Sequence, residues 1–245
     1  MQSIHSHPAP GRRQSAFTLV EMLVVIAIIS ILMTAGSIGL SGLGGKGVTS
    51  GVATAESLVD EARTTAVGRC IRACVLVAKN ITNNHADDLR HILIAYEEVN
   101  EKTGLPVSPP DQEPNWVLSS RGAVLPDQVY FSEEFSRKNH ADGASPPTEI
   151  SDAKIKGVKP AFRGTYFIYQ FNDQGICQTP GASLIIGTGT RNNNKSSDEQ
   201  PPRVTAAAQR DFGGFVIWRN GRTSLFRGSD QMASAIKSLK PGDKF

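Results

Sequence analysis

The sequence predicts an α+β protein in which one long amino-terminal helix packs on an antiparallel β-sheet domain. Three observations predict it. Residues 17–40 form an almost purely apolar run. Small and apolar residues then recur at helical spacing from Val48 to Cys70. From residue 71 onward, β-branched and aromatic segments alternate with turns rich in Gly, Asn and Pro.

The apolar run holds 24 residues. At about 1.5 Å of helical rise each it reaches roughly 36 Å, against a hydrocarbon core of about 30 Å, so it is long enough to span a bilayer. Arg12 and Arg13 precede it and no acidic residue does. The positive-inside bias therefore predicts a cytoplasmic amino terminus and an extracytoplasmic remainder. Glu21 is the anomaly, because a carboxylate within the bilayer costs about 2.5 to 3.5 kcal/mol and persists where it has a partner. The run offers it no cation at helical spacing. Cleavage between Ala16 and Phe17 would make Glu21 the fifth residue of the product, and the new α-amino group of a neighbouring copy would then lie at its depth. That pairing would drive side-by-side assembly. An ordinary secretory signal cut near Ala35-Gly36-Ser37 and an uncleaved anchor are the competing readings. Glu21 is what an ordinary signal would not want.

Phe17-Thr18-Leu19-Val20-Glu21 followed by an apolar helix resembles the class III signal of type IV pilins and type II secretion pseudopilins. The resemblance implies a prepilin peptidase that cuts after Ala16 on the cytoplasmic face and methylates the amine of Phe17. It also implies a glutamate, here Glu21, that guides subunits into a filament. The family usually has glycine before the cut, where this chain has Ala16. On this reading residues 1–16 are a leader, 17–40 the transmembrane half of the helix, 41–70 its periplasmic half, and 71–245 the globular domain.

Composition narrows the function classes. Without the two leader arginines, 24 Lys and Arg face 23 Asp and Glu, a net charge of +1, which gives little reason to expect nucleic acid as a partner. Cys70, Cys74 and Cys177 suit an oxidising compartment and allow one intrachain disulfide, either Cys70 to Cys74 or Cys74 to Cys177. His85, His91 and His140 are scattered without ligand spacing, so neither a metal nor another cofactor is expected. Gly42-x-Gly44-x-x-Gly47 formally matches a dinucleotide fingerprint. That loop must follow a short strand, not an apolar run of this length, and the glycines are read instead as weakening the helix near the membrane exit.

In the domain, Val52, Ala55, Val59, Ala62 and Ala66 define one apolar helix face against which a sheet can pack closely. Residues 72–78 read as the first strand. Residues 90–99 read as a second, with a helix as the alternative, because ten residues do not separate the two periods. Residues 101–114 form a loop. Short strands at 116–118 and 128–131 flank Leu125-Pro126. Residues 136–159 hold few apolar side chains and are expected to lengthen the domain without enlarging its core. Residues 165–171 and 184–186 are expected to pair as a hairpin through Asn172-Asp173-Gln174-Gly175. After a polar loop at 191–203, residues 213–218 and 223–226 form a hairpin around Asn220-Gly221, and 230–239 close the chain as a small helix. Six or seven strands follow the helix in all.

This order resembles the GspH/FimT family of minor pseudopilins and minor pilins. The residues that carry the resemblance are Glu61-Ala62-Arg63-x-x-Ala66, Leu125-Pro126-x-x-Val129-x-Phe131 and Phe171-Asn172-Asp173-x-Gly175. The segment Leu93 to Tyr96 and the long insertions are similar to larger cassette-encoded relatives, the Verru_Chthon cassette type D proteins. The resemblance implies a pilin-like structural subunit in the inner membrane that joins or primes a periplasmic filament for type II secretion or type IV pilus assembly. Its partners would be prepilin peptidase and other pilin or pseudopilin subunits. The alternative is a DNA-binding minor pilin for DNA uptake, in which Arg219, Arg222 and Arg227 contact phosphates beside Trp218 and Phe226. No catalytic motif with informative context occurs, so an enzyme is not expected. The acid pairs Asp87-Asp88 and Glu97-Glu98 are read as solvated surface.

Overall fold

The computed structural model describes residues 19–20, 22–30, 43–109, 112–119, 122–143, 145–206 and 211–245. Residues 1–41 and 42–245 form separate units. In the first, residues 19–20 and 22–30 are helical. The second begins with helix α1, Leu43–Arg69, and continues through strands β1 (Ala73–Ile81), β2 (His91–Glu97), β3 (Trp116–Leu118), β4 (Ala123–Val124), β5 (Val129–Phe131) and β6 (Thr148–Ser151). Strands β7 (Ile155–Lys156), β8 (Gly164–Phe171), β9 (Ala182–Thr188), β10 (Phe212–Ile217) and β11 (Thr223–Leu225) follow, then the single-turn helix α2, Ser229–Met232.

The strands form two sheets. The larger runs β6-β8-β1-β2-β3-β7, with β4 also paired to β2, and the smaller runs β11-β10-β9-β5. Every pairing is antiparallel except β3 with β7. The expected helix and antiparallel sheet are thus present, but the sheet is split in two, and α1 touches both parts.

Helix α1 buries the stripe its spacing predicts: Val48, Val52, Ala55, Val59, Ala62 and Ala66 are all buried in the main core. Gly44, Gly45 and Gly47 lie within its first turns, not in a break. A methyl at Gly47 or Gly51 would come within 3.2 Å of Val129, so these glycines let β5 approach the helix closely. Cys70, the last member of the predicted stripe, lies beyond the helix and is exposed. It adopts φ of 52°, while the amides of Cys70 and Ile71 donate to the carbonyls of Val67 and Ala66. That pair of bonds is a Schellman cap, which turns the chain out of the helix and into β1.

Strand β1 reads as a continuous apolar run because both of its faces are covered. Ala73, Val75 and Val77 face the core with α1, and Cys74, Leu76 and Ala78 face a second cluster with Leu93, Trp116, Tyr166 and Ile168. Residues 91–97 are a strand, paired with β1 from Tyr96 opposite Ala73 to Ile92 opposite Val77, which removes the helical alternative.

Two expectations are overturned. Residues 136–159 do enlarge the core: β6 pairs with β8, β7 pairs with β3, and Ile150 and Ile155 are buried in the second cluster. Two isoleucines suffice because edge pairing aims both at the sheet. Residues 165–171 and 184–186 do not form a hairpin. The turn is present, with Gly175 at φ 72° and Asn172 Oδ1 accepting from the amides of Gln174 and Ile176. The chain folds back only as far as Cys177 opposite Phe171 and the Gln178 amide on the Gln170 carbonyl. It then crosses to the other sheet, where the amides of Cys177 and Gly181 donate to the carbonyls of Arg219 and Ile217. The last hairpin forms as expected around a different turn: Gly221 takes φ 73° after Trp218-Arg219-Asn220, a type I turn closed by a bulge glycine.

Cys70 holds a left-handed conformation that costs an L residue about 1 to 2 kcal/mol. Cys70→Gly therefore stabilises the protein by about 1 kcal/mol in urea unfolding, whereas Cys70→Ala gives no such gain.

Candidate functional site

Of the amino-terminal candidates, Ala16, Phe17 and Glu21 lie outside the described residues, as do the leader and residues 31–40. What is described between them is a helical stretch whose apolar side chains are exposed all round. Leu19 is 81 % exposed, and Val20, Met22, Leu23, Val24, Val25, Ile26, Ile28 and Ile29 are all exposed. Ser30 satisfies its hydroxyl on the Ile26 carbonyl at 2.8 Å. A helix apolar on every side is suited to lipid or to other helices. Among the described residues, no helix is long and apolar enough to cross a membrane.

The candidate nucleic-acid residues are all exposed. Arg219 and Arg222 stand at the tip of the β10–β11 hairpin, while Arg227 lies past the far end of β11. Three residues of strand, about 10 Å, separate the two positions. Trp218 is half exposed and donates its indole N–H to Ser224 Oγ at 2.7 Å, and Phe226 packs on the His140 ring.

Cys70, Cys74 and Cys177 are free thiols, so neither expected disulfide forms. Cys74 belongs to the second cluster and Cys177 to the main core, on opposite faces of the large sheet, and burial raises both thiols above their usual pKa. Among the described residues no group of three or more His, Cys, Asp or Glu is placed to hold a metal ion.

Comparison with known proteins identifies the amino-terminal segment. Residues 11–37 match the prokaryotic N-terminal methylation motif. The matched stretch contains Ala16, Phe17 and Glu21, and the chain therefore carries a type IV pilin signal. No curated protein matches the chain. Among solved structures, the type IV minor pilin FimU of Pseudomonas aeruginosa is similar at 13% sequence identity and a TM-score of 0.32, over 73% of this chain and 87% of that one.

Outside the methylation motif, the strongest electrostatic features are buried ion pairs that sequence reading assigned to the surface. Asp88 and Arg191 are both fully buried and meet at 3.0 Å. Asp88 also accepts from the amides of Ile81 at 2.7 Å and Ser197 at 3.1 Å, and Arg191 donates to the carbonyls of His85 at 2.8 Å and Gln200 at 3.2 Å. Burial raises the Asp88 carboxyl above its usual range and lowers the Arg191 guanidinium, against the attraction between them. Glu97 is likewise buried. Arg72 grips it with two parallel bonds, Nε to Oε2 at 2.9 Å and Nη2 to Oε1 at 2.5 Å. No local pattern distinguishes Asp88 from Asp87, because the charge that pairs with it, Arg191, comes from more than a hundred residues away.

The Asp88–Arg191 pair pins the 191–203 loop to the β1–β2 connection. Asp88→Asn leaves a buried, unpaired guanidinium and costs about 3 to 5 kcal/mol in urea unfolding. Asp87→Asn, on the neighbouring half-buried carboxylate, shifts stability by less than about 1 kcal/mol.

Proposed function

We propose that this chain is a pilin-like structural subunit, a minor pilin or minor pseudopilin, that joins or primes a periplasmic filament for type II secretion or type IV pilus assembly. The observation that carries the reading is the methylation motif over residues 11–37. Prepilin peptidase cuts between Ala16 and Phe17 and methylates the new amine, the small Ala16 side chain standing in for the usual glycine. Residues 17–40 hold the subunit in the inner membrane with its amino terminus cytoplasmic, and the unit that opens with α1, Leu43–Arg69, and runs to residue 245 is periplasmic. The exposed apolar side chains of residues 19–29 support a segment that meets lipid and neighbouring helices instead of water. Glu21 draws an incoming subunit into register by pairing with a neighbour's α-amine.

The intact mass of the membrane-extracted protein, with and without co-expressed prepilin peptidase, tests the reading. The expected product begins at methylated Phe17. A product beginning near Ile38, or an uncut chain, overturns it. Glu21→Ala leaves membrane insertion intact. With the carboxylate gone, the neighbour's α-amine lies in the apolar layer without a partner, which weakens co-purification with the filament at least tenfold. Unchanged recruitment removes that role from Glu21.

A further inference from the structure

The smaller sheet ends at β11 in an edge that the filament reading does not use. Strand β11 pairs on one side only, with Phe215 opposite Leu225 and Ile217 opposite Thr223. The bonds flanking that register, Trp218 amide to Arg222 carbonyl and Phe226 amide to Gly214 carbonyl, fix its phase. Residues 222, 224 and 226 exchange hydrogen bonds with β10, so the backbone groups of Thr223 and Leu225 point away from the sheet. Among the described residues nothing pairs with them. An open strand edge of this kind is a template for another extended chain.

Beside that edge runs a groove of about 300 Å3 between β11 and the amino-terminal half of α1. Alternation along β11 places Thr223 and Leu225 on the helix side, where Thr223 donates its hydroxyl to Glu56 at 2.5 Å and Leu225 remains 54 % exposed. Gly213 forms its floor where the strand packs tightly on the helix: a methyl there would come within 3.1 Å of both Val48 and Val52 and push β10 and α1 apart. Two carboxylates line it, Glu56 beside Thr223 and Asp211 just before β10, and neither is in an ion pair among the described residues. Open backbone groups, an apolar slot and two carboxylates outside any ion pair coincide along the helix side of this edge, with Arg222 and Arg227 at the two ends of the strand.

We propose that β11 and this groove receive an extended segment of a partner protein by strand addition, the segment carrying an apolar side chain for the slot and a Lys or Arg for the carboxylates. Main-chain bonds to Thr223 and Leu225 hold the segment, while the slot and the charges select it. The proposal does not depend on how the amino terminus is processed.

Fluorescence anisotropy of the full chain in detergent tests this with a labelled peptide, Lys-Val-Thr-Val-Thr-Lys. Its Glu-for-Lys counterpart and versions N-methylated on alternate peptide nitrogens, in both phases, serve as comparisons. The expected result is saturable binding, weakened at least tenfold by Glu for Lys and by N-methylation in one phase. Glu56→Gln, which keeps an acceptor for Thr223, weakens binding at least threefold at low salt, and Gly213→Ala weakens it by pushing β10 and α1 apart and distorting the slot. Absence of binding up to millimolar peptide, equal affinity for both N-methylated peptides, or wild-type affinity in both protein variants overturns the proposal. Self-association of the chain that the peptide dissolves, seen by sedimentation, assigns the edge to a second copy and overturns the partner assignment.

Discussion

The small-residue face of α1 is the constraint on which the domain depends. Ala55, Val59, Ala62 and Ala66 are completely buried, and their short side chains let backbone on both sides come near the helix axis. The larger sheet supplies Val75, Val77, Ile92, Ile94, Phe167 and Tyr169 to this core, and the smaller sheet supplies Leu184, Ile186, Phe215 and Ile217. Each large apolar side chain buried there stabilises by about 1.5 to 3 kcal/mol. Larger residues on the helix would hold the sheets apart and leave those contacts unmade.

The sheets are joined where the chain abandons a hairpin it has begun. The turn at Gly175 and the turn at Gly221 touch. A methyl at Gly221 would come within 2.5 Å of the Gly175 carbonyl oxygen and 2.6 Å of Arg63 Cδ, and a methyl at Gly175 within 2.8 Å of Val67. Both glycines have positive φ, so these positions demand glycine for conformation and for space alike. The polar excursions are fastened by charge instead. Lys79 takes Glu133 at 3.1 Å and Glu149 at 2.7 Å, and although burial would lower its pKa, those carboxylates raise it. Asp88 with Arg191 and Arg72 with Glu97 hold two further loops.

The two units divide the work. The amino-terminal segment carries the methylation motif, a short linear pattern. The domain presents surface: a hairpin tip with Arg219 and Arg222, and an open edge at Thr223 and Leu225. The buried charges of Asp88, Arg191 and Glu97 are each consumed by partners that position loops.

What the sequence by itself determined is whatever short-range periodicity and short motifs encode. The Phe17 to Glu21 signal, the apolar face of α1, the apolar run of β1 and the hairpin around Gly221 were legible because each depends on residues a few positions apart. The tertiary structure decided the rest. Residues 136–159 look too polar to pack, yet Ile150 and Ile155 are buried once β8 and β3 offer edges to pair with. The turn after Phe171 is as good a hairpin signal as the one after Ile217. Only the competition of β1 and β6 for the edges of β8, and of β10 for β9, sends the chain across to the second sheet. Asp88 differs from Asp87 only in what the fold brings to it, because an ion pair spanning a hundred residues leaves no trace in local spacing.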